Sequence, residues 1–192
     1  MDHDAYPDSY IRGILTHVKV IAMVGASPVN VRPSYFAFKY LAERGYDMIP
    51  VNPGQVGNSL LGRPFVASLH DIQRPIDMVD IFRSASYVPG VVEEALALSP
   101  QPKVIWMQLG IHHDEAAARA EAAGLKVVMN RCPKIEYGRL TSEISWMGVN
   151  SRTLSSKRAP APMRGMQLSL NRQSVSGAQT SAADRAAQLK DD

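Results

Sequence analysis

The chain has 192 residues, 45% hydrophobic and 20% charged, with 21 Lys and Arg against 18 Asp and Glu. That is the balance of an ordinary globular protein, and no apolar run reaches the ~18 residues that a membrane-spanning helix requires. A single cysteine, Cys132, excludes an internal disulfide and argues against a thiolate zinc site. The net charge of +3 is unevenly spread: residues 1–148 carry 14 basic and 15 acidic side chains, and residues 149–192 carry 7 and 3. The body is therefore near neutral, and nucleic acid is not an expected partner. The acidic opening Met1-Asp2-His3-Asp4 lacks the basic-then-apolar pattern of a secretory leader. A reducing cytoplasm is the expected setting.

A short helix is expected over residues 9–18, followed by a first strand at 19–24 (KVIAMV). The next helix spans 34–44 and is closed by Gly45, and the second strand is 47–51 (DMIPV). Residues 52–71 read as a long loop with one turn at 68–72. A third strand at 77–82 (DMVDIF), a helix at 87–98 stopped by Pro100, and a fourth strand at 103–109 (KVIWMQL) come next. A helix at 114–123, closed by Gly124, leads to the fifth strand at 126–130 (KVVMN). Residues 134–148 form a final helix or pack across the sheet.

Apolar runs alternating with helices call for a doubly wound α/β fold with a parallel five-stranded Rossmann-like sheet. The expected strand order is 3-2-1-4-5, with the ligand site where the order reverses between the first and fourth strands. Trp106 and the strand methionines are read as core, and Asp77 and Asp80 as strand-flanking charges.

The first strand runs into Gly25-Ala26-Ser27-Pro28-Val29-Asn30-Val31-Arg32-Pro33-Ser34 and then a helix. Small residues at such a junction let backbone N–H groups and the helix N-terminus meet a phosphate, with Ser27, Asn30, Arg32 and Ser34 as side-chain donors. The alternative is a tight turn with polar caps. NAD fits poorly. The G-x-G-x-x-G pattern is absent, and Val51-Asn52-Pro53 stands where an acid would bind the ribose hydroxyls.

VGASPVNVRPSYFAFKYL, YDMIPVNPG, LGRPFVASLHDI, VDIFR, VIWMQLGI and NRCPKIEY together resemble the small bacterial CoA-binding proteins. Those are single Rossmann-type domains, similar to the N-terminal domain of the succinyl-CoA synthetase α subunit, and the resemblance covers about residues 10–140. It implies coenzyme A, or an acyl-CoA, as the ligand. Gly25, Ala26, Ser27 and Arg32-Pro33-Ser34 would receive the pyrophosphate, and Asn52 and Pro53 would flank the adenosine ribose. Phe82 and Arg83 would bound the adenine or the start of the pantetheine arm, and Gln108 to Gly110 would line its path. The lysine that serves the 3′-phosphate in the synthetases is missing, since Gly54-Gln55-Val56 stands there. Arg32, Lys39 and Arg63 are the candidates to replace it.

Cys132, between Arg131 and Lys134, has two readings. It is either a thiol activated by nearby positive charge and set close to the CoA sulfur, or a small half-buried residue at a strand exit. His112-His113 with Asp114 and Glu115 read as a helix start. No catalytic triad or metal cluster is legible. The expected function is non-catalytic binding of CoA or acyl-CoA, in the service of an enzyme that handles thioesters, as its subunit or regulator. The alternatives are a small enzyme using Cys132 and an interaction factor acting through its tail. That tail, residues 149–192, is basic and of low complexity. It is expected to be disordered or bound to a protein partner or a second copy, with Leu154, Met163, Met166, Leu168 and Leu170 as anchors.

Overall fold

Val, Ile and Met crowd the five apolar runs, and burial from both faces makes each a short parallel strand. The structure, a computed structural model, describes residues 2–141. The element order is α1 (Asp8–His17), β1 (Val20–Val24), α2 (Pro33–Glu43), β2 (Asp47–Val51), β3 (Ser59–Leu60), β4 (Arg63–Pro64) and β5 (Met78–Ile81). It continues with α3 (Val88–Leu96), β6 (Val104–Met107), α4 (Asp114–Ala122), β7 (Lys126–Val128) and α5 (Pro133–Leu140). The tail and its five proposed anchors lie outside the described residues, as do residues 142–148.

The main sheet is parallel in the order β2-β1-β5-β6-β7. Counted along the chain, the five long strands thus lie 2-1-3-4-5, which corrects the expected 3-2-1-4-5. The cause is the segment after β2. It folds into the β3–β4 hairpin and then lays Val66 parallel to Val51. The Val66 N–H donates to the Pro50 carbonyl at 3.1 Å, and the Asn52 N–H to the Val66 carbonyl at 2.9 Å. With the outer edge of β2 taken there, β5 pairs with β1 instead. The order therefore reverses between β1 and β5, and the crevice for a ligand opens there.

Helices cover both faces. Ile11, Ile14 and Leu15 of α1 recur at helical spacing and bury with Phe38 and Leu41 of α2 and Leu140 of α5 on one face. Val88, Val92 and Ala95 of α3 and Ala116 and Ala120 of α4 pack on the other. His113 caps α4, its Nδ1 accepting the Ala116 N–H at 3.3 Å. His112 binds Asp114 at 2.8 Å, so the histidine pair serves the helix start.

The outer edge of β7 is closed by side chains from the N-terminal segment. The Tyr10 hydroxyl donates to the Val127 carbonyl at 3.3 Å, and the Tyr6 hydroxyl accepts the Met129 N–H at 2.7 Å. The Arg131 guanidinium donates to the Asp4 carbonyl at 3.0 Å and lies over the Tyr6 ring.

At the crevice, Gly25 has φ +87°, and its N–H donates to the Val51 carbonyl at 2.9 Å. A Cβ there would stand 2.5 Å from the Phe82 carbonyl oxygen. Gly45 also has a positive φ, +88°, but a Cβ there meets nothing within 4 Å. Gly25→Ala is expected to cost about 3 kcal/mol, from backbone strain plus the clash, and Gly45→Ala about 1 kcal/mol, from strain alone. Urea unfolding midpoints of the two variants check this, and equal losses would refute the tight fit at Gly25.

Candidate functional site

The carboxyl ends of β2, β1, β5 and β6 open onto one edge of the sheet, and most of the residues singled out in the sequence stand on the segments that follow them. Ala26 is fully buried, and its carbonyl accepts the Asn52 amide at 2.8 Å, which ties the loop after β1 to the loop after β2. The Asn52 side-chain oxygen also accepts the Gly54 N–H at 3.1 Å, fixing the turn that Pro53 begins. The Ser27 hydroxyl accepts the Val29 N–H at 3.2 Å, so it shapes its own loop. Asn30, Arg32 and Pro33 are exposed where the chain enters α2, with Arg32 as N-cap and Pro33 opening the helix, while Ser34 is buried. The first N–H groups of α2 thus face the edge where an anion is favoured.

After β5, Phe82 packs against the core and Arg83 lies with its guanidinium 4.8 Å from the Tyr87 ring centroid. The Arg83 side chain runs past Gly25, since a Cβ on that glycine would lie 3.1 Å from its Cδ. After β6, Gly110 takes φ +77° and donates its N–H to the Asn130 side chain at 2.8 Å. Five large apolar side chains on this edge stay exposed: Val29, Val31, Phe36, Tyr87 and Leu109.

The structure separates the three candidates for a 3′-phosphate. Arg32 stands at the crevice. Lys39 is one helical turn from Glu43 and 3.9 Å from its carboxylate. Arg63 acts on Asp47, at the amino end of β2, away from the ligand edge. Two clefts of about 360 and 400 Å³ also open at the amino ends of the strands, lined by Arg12, Lys19 and Tyr46 and by His17, Lys103 and Lys126. Neither lies where the loops and the helix start converge.

Cys132 is partly buried and is the N-cap of α5. The expected activation by positive charge is outweighed by burial. Burial pushes the thiol pKa up, the Ile135 and Lys134 N–H groups of α5 pull it back, and the Asp80 carboxyl pushes it up further. Arg131 is turned to the N-terminal segment, and the Lys134 ammonium lies 5.9 and 5.7 Å from the Phe36 and Tyr40 ring centroids. Of the positive groups beside the cysteine in sequence, Arg131 is engaged elsewhere in space, while Lys134 still lowers the thiol pKa, by less than burial raises it.

Asp80 is the residue that sequence reasoning misplaced. Asp77 does flank β5, accepting the Lys19 and Val20 N–H groups at 3.0 Å and pairing with Lys103 at 2.8 Å. Asp80 instead sits inside the strand, fully buried, between Met23 of β1 and Trp106 of β6. The Gln108 amide donates to its Oδ1 at 2.8 Å, and Gln108 is itself buried. Its Oδ2 is the one buried side-chain oxygen or nitrogen without a hydrogen-bond partner among the described residues. The signal was present: in DMVDIF, an acid in the middle of an apolar run has no solvent to face. Among the described residues no group of three or more His, Cys, Asp and Glu side chains is placed to hold a metal ion, and no helix is long and apolar enough to cross a membrane.

A parallel sheet flanked by helices, with a glycine turn and a helix start at its point of reversal, defines a Rossmann-like α/β domain. Comparison with known proteins makes this specific. Residues 19–138 match the family model described as CoA binding domain, and the chain belongs to that family. It is 38% identical over 127 residues to the uncharacterized protein YneT of Bacillus subtilis (strain 168), covering 66% of this chain and 91% of that one. Among solved structures it is similar to the cell-free ID.343 protein of Thermus thermophilus, with 39% identity and a TM-score of 0.66 over 70% of this chain and 99% of that one. It is also similar to a hypothetical protein of Pyrococcus horikoshii OT3, with 41% identity and a TM-score of 0.66 over 72% of this chain and 94% of that one.

Burial raises the Asp80 pKa to about 7, with the Gln108 hydrogen bond acting the other way. Folding therefore favours the protonated acid. The stability this contributes is full below the unfolded carboxylate range, about 4, and is lost as the pH rises through about 7. Asp80→Asn keeps the shape and an acceptor for Gln108 but cannot ionise. Its advantage in unfolding free energy over the wild type, read from urea unfolding, is expected to open between pH 4 and 7 and to level off above, at a few kcal/mol, since each tenfold change in proton affinity is worth about 1.4 kcal/mol. A difference that does not change with pH would refute a buried, titrating Asp80.

Proposed function

We propose that the chain binds coenzyme A or an acyl-CoA in the crevice between β1 and β5, without transforming it. In this reading it serves a cytoplasmic enzyme that handles thioesters, as subunit or regulator. The observation that carries it is the meeting at one edge of the Gly25 turn, the start of α2 and the Asn52 bridge to Ala26. The pyrophosphate would lie on Gly25, Ala26 and Ser27 and on the helix start at Arg32, Pro33 and Ser34, with Asn30 beside it. Asn52 and Pro53 would flank the ribose, and Phe82 and Arg83 the adenine side. Gln108, Gly110 and Cys132 would line the pantetheine arm. The exposed apolar rim of Val29, Val31, Phe36, Tyr87 and Leu109 suits that arm or an acyl chain better than it suits water. Residues 1–148 would form the ligand-binding domain, and residues 149–192 a basic arm for a protein partner.

Calorimetric titration tests the assignment. The wild type is expected to bind CoA more tightly than dephospho-CoA. Arg32→Ala should weaken CoA by about tenfold or more, the loss of one charge-assisted hydrogen bond, and narrow the gap between the two ligands. Arg83→Ala should weaken both equally. Equal affinity of the wild type for CoA and dephospho-CoA would remove the 3′-phosphate from the site, and binding of neither would overturn the reading.

A further inference from the structure

Three side chains meet beneath the ligand edge on the face covered by α2 and α5. Trp106 neighbours Asp80 across the sheet, and its Nε1 donates to the Arg131 carbonyl at 2.8 Å. That bond lays the backbone leading into Cys132 over the strand next to Asp80, close enough for the carboxyl's charge to raise the thiol pKa. Gln108, two residues beyond Trp106, holds Oδ1 of the carboxyl and leaves Oδ2 unpartnered in a fully buried setting. A buried carboxyl with an orphaned oxygen is costly unless something comes to meet it. The thiol has the complementary need. Burial keeps it protonated, yet the first N–H groups of α5 already point at the sulfur and would stabilise a thiolate once the proton left.

We propose that Asp80, Gln108 and Cys132 form a thiol–disulfide exchange site for a small-molecule disulfide, with Asp80 as the base for Cys132. The Cys132 proton passes to Asp80 Oδ2, by rotation of the Cys132 side chain or across one water. The thiolate attacks one sulfur of the disulfide, and a new S–S bond to Cys132 forms as the old one breaks. The second sulfur leaves with the electron pair of the broken bond and takes the proton from Asp80 as a free thiol. One disulfide is consumed and one is made, so no further oxidant or reductant enters. Gln108 is a positioning residue that holds Oδ1 and leaves Oδ2 as the oxygen free to take the proton. Flanking Asp80 in the sheet, Met23 and Trp106 carry no charge, and Lys134 of α5 is the charged side chain that acts on the sulfur from the covering helices. The disulfide of CoA is the expected substrate, a choice that rests on the CoA reading above.

The test is intact-mass detection of adducts on the full chain, timed from pH 6 to 9, with CoA disulfide and with cystamine, which carries no nucleotide. The wild type is expected to gain one adduct, absent in Cys132→Ser, with an inflection in rate near pH 7 where Asp80 titrates. Asp80→Asn should lose the inflection and slow the reaction at pH 7.5 by about a hundredfold. If Asp80 acted only as a nearby negative charge, its removal would lower the thiol pKa and speed the reaction. An equal or faster rate in Asp80→Asn therefore overturns the proposal. So does a wild-type profile without the inflection, a measurement that needs no variant to fold, or the absence of adduct with both disulfides. An Asp80-dependent rate that is the same for both disulfides upholds the exchange site and removes CoA as its preferred substrate.

Discussion

Two backbone hydrogen bonds and one side-chain amide hold three strand ends together at the reversal point of the sheet. The Gly25 N–H binds the carbonyl that ends β2, the Phe82 N–H binds the carbonyl that ends β1, and the Asn52 amide reaches back to Ala26. The chains come so close that even one methyl group at Gly25 has no room. The rest of the edge depends on this contact. It sets where α2 begins, which way the Arg83 side chain runs, and how near the loops after β2 and β5 stand to the helix start. A site made of loops is ordinarily soft; here the segments after β1, β2 and β5 are fastened to one another within two residues of leaving the sheet.

Much of the architecture was legible because parallel strands buried on both faces write themselves as apolar runs, and because Gly45 and Gly124 mark helix ends plainly. Strand order was not legible. It turns on Val66, a single β-branched residue inside a stretch that reads as loop, which takes the outer edge of β2 only once the β3–β4 hairpin has turned the chain back. The loop residues were found from the glycine, proline and polar types that such turns require. The surroundings of Cys132, for which the sequence leaves two readings, turn on where its charged neighbours are sent. Arg131 and Lys134 are neighbours along the chain, but the termini of β7 and α5 send their side chains to Tyr6 and to the aromatic rings of α2. Asp80 is hidden in the sequence because the ends of an apolar run suggest a flanking position, while its register opposite Trp106 decides its environment.

Asp80 is also where the fold works against its own stability. An apolar side chain of the same size between Met23 and Trp106 would be better tolerated in a sheet centre, as buried carboxyls lose more hydration than one amide hydrogen bond returns. Gln108 deepens the point, since it is a second polar group brought inside to hold the first. Local rules of good packing are broken at these two neighbouring positions, and such breaks cluster where chemistry is done.

The phenol groups of Tyr6 and Tyr10 have a consequence for solubility. A parallel sheet ends in a strand whose outward N–H and C=O groups invite another chain to add on, and β7 is such a strand. Here the invitation is withdrawn by two hydroxyls from a segment that precedes the family-matching region, residues 19–138. A chain trimmed to that region would keep every loop of the ligand edge and lose the guard on its flank. It would be prone to stack edge to edge into insoluble material, so residues 2–18 belong to the working domain as much as the sheet does.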